Sequence, residues 1–283
     1  MAETVNFHLA GLDYGITGVP GAWWSELPER LANCRTEPPA DDALAGSLHF
    51  DPGATSADYV PPAEGHDLHS TTRMEFRPGA LTYQSDWCRG ELVFSPGPEM
   101  RVTCHRDARP WFGGLLENVL RITVAYDLLH RGGLLLHAAG IVVDGNARVL
   151  FGHSGAGKST TSEFAQAAGY PVLSDDIVAL VPGDDGWALR PVPFCGTFRG
   201  AQATLEAVPL GGLYHLHQSD TNRVAPYSPA TGVAMISASA PFVNQDPFRS
   251  ERLLDAASRL VGAVPVQRLY FTREARFLGL LED

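Results

Sequence analysis

The chain contains almost no lysine. Of its 21 basic residues 20 are arginine, the single lysine is Lys158, and 32 acidic residues leave a formal net charge of −11. An acidic surface repels the phosphates of nucleic acids, and no basic cluster along the sequence offsets that repulsion. We therefore expect no nucleic-acid partner.

Cysteine and long apolar runs are also scarce. Four widely spaced cysteines form no CxxC pair, which predicts buried reduced thiols rather than a zinc site or a disulfide framework: Cys34, Cys88, Cys104 and Cys195. No run approaches the roughly 18 apolar residues of a membrane span. The first residues lack a basic segment followed by an apolar one. We expect a cytoplasmic protein that does not associate with membranes.

The apolar content of 45% is high enough for one large or two modest domains. Residues 36–73, rich in Pro, Gly, Asp and Ser, indicate irregular excursions between strands. Short apolar or alternating runs around that region predict a β-rich N-terminal domain over 1–111, with strands at 5–9, 81–83, 91–94 and 100–104.

The second half, 112–283, has a clearer α/β pattern. Helical spacing of apolar residues predicts an amphipathic helix over 115–129. Two strands, 134–143 and 147–151, flank Asp144-Gly145-Asn146, where glycine suits a tight hairpin turn.

A short helix over 160–168, with Phe164 and Ala168 inward, is expected to stop at Gly169, and a buried strand over 171–181 is interrupted by two aspartates. The later elements are predicted to be strands at 210–216 and 264–271, helices at 229–238 and 249–261, and a C-terminal helix from Arg273.

The segment 152–159 satisfies the phosphate-loop pattern GxxxxGK[ST], after a predicted strand and before a predicted helix. Its glycines let backbone N–H groups converge on phosphate oxygens, and the helix N-terminus adds partial positive charge. The predicted nucleotide-binding residues are Gly152, His153, Ser154, Gly155, Ala156, Gly157, Lys158, Ser159 and Thr160.

Lys158 is kept at this one position in a chain that otherwise uses arginine. A compact ammonium on a flexible stem fits the loop and reaches the β- and γ-phosphates, whereas a planar guanidinium does not fit. This contrast favours a working phosphate loop over a glycine-rich turn with a chance lysine.

Asp175 and Asp176 come 17 and 18 residues after Lys158, so one short helix and the next strand would return them to the loop. Beside Mg²⁺ and a triphosphate, one carboxylate can bind the metal and the other can accept a proton from a hydroxyl. The predicted metal ligands are Ser159 and Asp176, although adjacency leaves open which aspartate is the base.

The segments 136–144, 151–159 and 169–176 resemble the catalytic domain of HPr serine kinase/phosphorylase. They resemble more closely the HPr-kinase-related proteins often found beside bacterial peptide-modification genes. The resemblance implies the fold shared with phosphoenolpyruvate carboxykinase, the cofactors ATP and Mg²⁺, and a homo-oligomer. It also implies that His137, which matches the family's strand histidine, orients a carboxylate or contacts the phosphoryl group.

Two further features concern side chains outside these segments. Arg199, past the aspartate strand, is a candidate for neutralising charge in the transition state. His215 and His217 alternate along a predicted strand and face one side, but no third ligand accompanies them, so we predict no metal site there.

Together these features predict an ATP-dependent kinase that phosphorylates a hydroxyl, either on a serine of a peptide or protein or on a small alcohol. One alternative is carboxykinase-like transfer to an enolate, which is disfavoured because no second lysine is available as a metal ligand. The other alternative is a regulatory protein that binds a nucleotide without catalysis.

Overall fold

The computed structural model describes residues 4–38, 44–55, 73–85, 87–95, 97–194, 196 and 206–282. The chain has a mixed α/β fold in two compact units, Met1–Asp127 and Leu128–Asp283. The described part contains two eight-stranded sheets. The boundary between the units falls near the end of a long helix, whereas the sequence predicted a boundary before that helix. None of the described helices combines the length and apolar character that crossing a bilayer requires.

The first unit is built on a sheet of order β3-β1-β2-β4-β8-β7-β6-β5. Its elements are β1 (Val5–Leu9), β2 (Leu12–Thr17), α1 (Glu29–Ala32), β3 (Arg35–Thr36), β4 (Gly46–Ala54), β5 (Arg73–Phe76), β6 (Ala80–Gln84), β7 (Cys88–Val93), β8 (Glu99–His105) and α2 (Phe112–His130), which ends in the second unit. Strand β4 runs parallel to both β2 and β8, and the other pairs in this sheet are antiparallel.

The strand β4 lies inside the region predicted to be irregular, so that prediction was wrong for residues 46–54. Leu48 and Phe50 are buried and alternate with more exposed neighbours, as in a half-buried strand. Pro52 and Gly53 interrupt the alternating pattern in the sequence and made this strand difficult to predict. They lie where the register with β8 shifts, and a strand tolerates proline and glycine at such an irregularity.

The helix α2 was predicted correctly, but it is not amphipathic. Residues 115–129 are buried except Asn118, which is partly exposed. Its polar side chains are paired: Glu117 with Arg121 at 2.7 Å and with Arg30, and Asp127 with the hydroxyl of Tyr14 at 2.9 Å. Polar side chains are tolerated in the interior when they have such hydrogen-bond or ion-pair partners. The polar residues of α2 therefore do not mark a solvent-exposed face.

The described cysteines, Cys34, Cys88 and Cys104, are free and buried as predicted, and Cys195 lies outside the described residues. Burial raises the pKa of the Cys34 thiol to about 11 and that of Cys104 further still. The thiols of Cys34 and Cys104 therefore stay protonated at neutral pH.

The second unit carries the segment 152–159, which has the phosphate-loop sequence pattern and is called the phosphate loop below. Its elements are β9 (Leu134–Val143), β10 (Asn146–Phe151), α3 (Lys158–Ala167), β11 (Val172–Ser174), β12 (Ile177–Gly183), β13 (Gly186–Arg190), β14 (Val208–Gln218), β15 (Arg223–Pro226), α4 (Pro229–Ala238), α5 (Ser250–Ala263) and β16 (Val266–Phe271). The sheet order is β10-β9-β12-β13-β14-β16-β15, with β11 beside β9 and a further pairing of β14 with β10. Because β14 runs parallel to both β10 and β16, these three strands end at one edge of the sheet.

Local signals were reliable in this unit. The predicted hairpin of β9 and β10 is confirmed, and Asp144 and Gly145 form its turn with φ of 50° and 75°, as a two-residue turn of this hand requires. Helix α3 stops before Gly169, whose φ is 88°, as predicted. Phe164 packs against the core as predicted, but Ala168 is exposed, and Thr161 and Ala165 are the buried residues of this face.

Helix α3 packs on one face of this sheet, over a core cluster that includes Leu150, Tyr214, Leu216, Leu269, Phe271 and Phe277. The last of these belongs to a 3-10 helix, Ala275–Leu281, at the place where the sequence predicted a C-terminal helix. This packing fixes the start of α3, and therefore the phosphate loop, against the ends of β14 and β16.

Candidate functional site

The phosphate loop joins β10 to α3, which is the strand–loop–helix context predicted from the sequence. Gly155 and Gly157 have φ of 78° and 110°, a region that residues with a side chain rarely adopt. A Cβ atom on Gly157 would lie 2.8 Å from the ring of Phe271, so this glycine also permits close packing against β16.

Lys158 is the first residue of α3 and is mostly buried. Its Nζ donates a hydrogen bond to the carbonyl oxygen of Gly152 at 3.2 Å, which spans the loop. Burial lowers the pKa of this ammonium, and the charges of Asp176 and Asp175 partly oppose the effect. The amine is therefore held over the loop, with two carboxylates close enough to influence its charge.

The two aspartates lie at a break between β11 and β12, both of which pair with β9. Ser174 makes the break, because its Oγ accepts hydrogen bonds from the backbone N–H groups of Asp176 and Ile177, both at 3.2 Å. Neighbouring side chains on an unbroken strand would point to opposite faces. The predicted interruption of this strand is confirmed, and it lets both carboxylates reach one cavity.

Asp175 is joined to the phosphate loop and is only 3% exposed. Its carboxylate accepts a hydrogen bond from Ser159 Oγ at 3.2 Å and another from the backbone N–H of Gly196 at 3.1 Å. The sequence had grouped Ser159 with Asp176, but the serine contacts the first aspartate of the pair.

Asp176 is joined to β9 instead. Its Oδ1 lies 3.0 Å from His137 Nδ1, and its backbone oxygen accepts a hydrogen bond from Ala138 N at 2.9 Å. The backbone N–H of His137 donates to the carbonyl oxygen of Ser239 at the end of α4. The carboxylate is 19% exposed and is more open to the cavity than Asp175.

These residues surround a cavity of about 640 Å³, lined by His137, Ser154, Gly155, Gly157, Lys158, Ser159, Thr160, Asp175, Asp176, Gly196, Gln218, Phe271 and Arg273. Of the predicted loop residues, Gly152, His153 and Ala156 do not line this cavity; His153 is exposed, and Ala156 is buried in the core cluster. Arg199 lies outside the described residues.

Sequence reasoning missed Gln218 and Arg273 as cavity residues. Gln218 Nε2 donates to the carbonyl oxygen of Gly155 at 2.9 Å. Arg273, two residues after β16, is exposed at the cavity, and its guanidinium has no ion-pair or hydrogen-bond partner within the described ranges. Only the parallel pairing of β14 with β10 and β16 brings these residues to the loop.

The donor set at the loop suits a hard cation. Ser159 offers a hydroxyl and Asp175 a carboxylate, both oxygen ligands of the kind that Mg²⁺ prefers. Among the described residues, no group of three or more His, Cys, Asp or Glu side chains is arranged to hold a metal alone. This sparse set is typical of Mg²⁺ sites that take most of their ligands from phosphates and water.

Comparison with known proteins gives one family. The family model of the SynChlorMet cassette protein ScmC matches residues 115–283, which is more than half of the chain. The matched region contains every described residue that lines the cavity. No curated protein matches the chain.

Proposed function

The chain belongs to the family of the SynChlorMet cassette protein ScmC, and we propose that it is an ATP-dependent kinase that phosphorylates a hydroxyl group. The observation that carries this proposal is the separation of the aspartate pair. Asp175 is tied to Ser159 of the phosphate loop, whereas Asp176 is tied to His137 and opens to the same cavity. The segments 136–144, 151–159 and 169–176, which contain these residues, support the fold that HPr serine kinase/phosphorylase shares with phosphoenolpyruvate carboxykinase.

The loop binds the phosphates in this proposal. Its backbone N–H groups and the N-terminus of α3 attract the anionic oxygens, and Lys158 leaves the Gly152 carbonyl to reach the β- and γ-phosphates. Burial disfavours the charged form of this amine in the free protein, and the phosphates favour it. Nucleotide binding therefore opposes the effect of burial on the pKa of this amine.

Ser159 and Asp175 would hold Mg²⁺, which neutralises charge on the phosphate oxygens during transfer. This reassigns the carboxylate ligand from Asp176, because Asp175 is the aspartate in contact with Ser159. The second hydrogen bond, from Gly196 N, fixes the position of the carboxylate beside the loop. Asp175 therefore serves the metal in this proposal, and Asp176 is left for the acceptor.

Asp176 accepts the proton of the acceptor hydroxyl, and His137 holds the carboxylate in place. The acceptor oxygen forms a bond to the γ-phosphorus while the bond from that phosphorus to the β–γ bridging oxygen breaks. The products are a phosphoester and ADP. Arg273, exposed at the same cavity and unpaired within the described ranges, is placed to neutralise charge on the transferring group.

The test measures where the γ-phosphoryl group goes. The protein is incubated with Mg²⁺ and γ-labelled ATP in separate reactions. Each reaction contains one type of acceptor: a serine peptide, one of a panel of small alcohols, or oxaloacetate. Label in an acid-stable phosphoester of a peptide or alcohol supports the proposal. Release of CO₂ from oxaloacetate would move the assignment to enolate chemistry.

A variant series shows whether the cavity carries the activity. Asp176→Asn is expected to lower the rate of transfer by roughly 10²–10⁴-fold, the effect of losing a general base. The matched control is Asp184→Asn, which alters another adjacent pair of aspartates, exposed in the turn between β12 and β13. Tight nucleotide binding without transfer to any acceptor would contradict the kinase assignment and favour a regulatory protein.

A further inference from the structure

A second cluster of polar side chains lies on the sheet face opposite α3, and the proposed mechanism does not use it. We call it the basic face, and it consists of His215, His217, Arg223, Tyr227, Arg268 and Tyr270. The neighbours Tyr214, Leu216, Leu269 and Phe271, which alternate with these residues on β14 and β16, belong to the core beneath α3. The basic face is therefore separated from that core by the sheet itself.

Two guanidinium groups dominate this face. Arg223 lies over the ring of Tyr270 with 3.6 Å from Cζ to the centroid, and Arg268 lies over the ring of Tyr227 at 4.2 Å. A hydrogen bond from Arg268 and the presence of Arg223 lower the pKa of the Tyr270 phenol. Within the described ranges neither arginine has a carboxylate at ion-pair distance. Two uncompensated cations thus lie together in a chain whose net charge is −11.

The histidines add hydrogen-bonding groups but little charge. His217 Nε2 lies 2.9 Å from the Tyr227 hydroxyl and 3.1 Å from His215 Nδ1. Burial and the neighbouring His217, His153 and Arg268 lower the pKa of His215 to about 4, and burial, Arg268 and His153 also lower that of His217. At neutral pH the positive charge of the face therefore comes from the arginines.

The basic face adjoins the phosphate loop. Phe151, the residue before the loop, stacks on His215 with 5.3 Å between ring centroids. A Cβ atom on Gly152 would lie 3.7 Å from the ring of His215. A molecule held by these arginines would therefore lie beside the nucleotide rather than at a remote surface.

We propose that Arg223 and Arg268 bind a carboxylate or phosphate group carried by the phosphoryl acceptor. This inference rests on the proposed kinase function and adds the substrate class, a hydroxyl compound or serine peptide that is itself anionic. Paired guanidinium groups suit such groups because their N–H donors match two oxygens of one anion. The aromatic rings beneath them fix the orientation of the donors.

The experiment follows the imidazole resonances of His217 by NMR in protein carrying Lys158→Ala, which disables the phosphate loop. The probes are inorganic phosphate, the peptide Glu-Glu-Ser-Glu-Glu and its glutamine analogue Gln-Gln-Ser-Gln-Gln. An anion at Arg268 offsets the charge that lowers the pKa of His217, so phosphate or the acidic peptide raises that pKa. The neutral peptide leaves it unchanged, and the two active probes distinguish phosphate from carboxylate recognition.

Charge removal provides the comparison. The double variant Arg223→Gln and Arg268→Gln is expected to weaken anion binding at least about tenfold, the effect of losing one charged contact. The matched control is Arg276→Gln, which removes an exposed guanidinium that pairs with Glu274 at 3.5 Å. The double variant Arg223→Lys and Arg268→Lys retains the charge and is expected to weaken binding by a smaller factor, and thermal unfolding confirms that each variant is folded.

Anion binding that survives in the glutamine variant overturns the proposal. The proposal is also overturned by two results together: the glutamine variant loses ATP binding, and the anions have no effect on His217 in protein that retains both arginines. The basic face would then bind the base of the nucleotide. Failure of the wild-type protein to bind ATP would contradict the kinase function instead. The anion titration does not require ATP, so the two failures are distinguishable.

Discussion

Replacing each aspartate of the pair by asparagine should separate two roles. Asp176→Asn keeps the size of the side chain and a hydrogen-bonding oxygen toward His137, but an amide cannot accept the proton of the acceptor. The loss of a general base lowers turnover by roughly 10²–10⁴-fold, which corresponds to about 2.7–5.5 kcal/mol in the barrier. Because Asp175 is the aspartate that contacts Ser159, nucleotide affinity in the Asp176→Asn variant should change by less than about threefold, or about 0.7 kcal/mol.

Asp175→Asn should give the opposite result. The buried carboxylate accepts hydrogen bonds from Ser159 and from Gly196 N, and an amide replaces one of its two charged oxygens by a donor. Affinity for ATP with Mg²⁺ should fall by about 10- to 100-fold, or about 1.4–2.8 kcal/mol. Affinity for ATP without Mg²⁺ should stay the same or rise, since a negative charge near the phosphates is removed.

Calorimetry with and without Mg²⁺, and turnover with the acceptor identified by label transfer, measure these effects. Asp184→Asn serves as the control for an exposed aspartate of an adjacent pair. Equal loss of Mg²⁺-dependent affinity in both variants would refute the division of roles. Retention of wild-type turnover in Asp176→Asn would refute its role as the base.

Three further predictions concern the loop and the turn. Lys158→Arg should abolish transfer as completely as Lys158→Ala while the protein stays folded, because a guanidinium does not fit over the loop; kinetics and circular dichroism check this. Gly157→Ala should destabilise the protein by at least about 2 kcal/mol in urea unfolding, against about 1 kcal/mol for Gly155→Ala, since both carry backbone strain but only the first meets the Phe271 ring. Ser174→Ala should cost about 1–3 kcal/mol and lower turnover, because two backbone N–H groups lose their acceptor; equal stability to wild type would contradict this role.

The sequence predicted best those features that adjacent residues determine. The hairpin turn at Asp144-Gly145, the strand–loop–helix around the phosphate loop and the break at the aspartate pair all follow from local chemistry. Strand β4 was not predicted because Pro52 and Gly53 interrupt its alternating pattern. Its place in the sheet depends on pairing with two parallel strands, β2 and β8, that are distant in the sequence.

Pairings between distant residues were beyond the sequence. The burial of Glu117 in α2 depends on Arg30 as well as on its own helix, and nothing in either segment indicates that they meet. Adjacency placed both aspartates near the loop, but the assignment of Ser159 to Asp175 rests on the geometry of the turn. Arg273 reaches the cavity through strand order, which the sequence does not reveal.

The single lysine has a consequence for labelling chemistry. Lys158 holds the only side-chain amine among the 283 residues, and burial lowers its pKa, so more of it is unprotonated near neutral pH than in an ordinary lysine. An acylating reagent carried by a nucleotide would therefore mark one defined position in the cavity, and digestion with a lysine-specific protease would be blocked there. Acetylation at the same amine would remove the positive charge of the loop in one step, so in this chain lysine acetylation could act as a switch only at the phosphate loop.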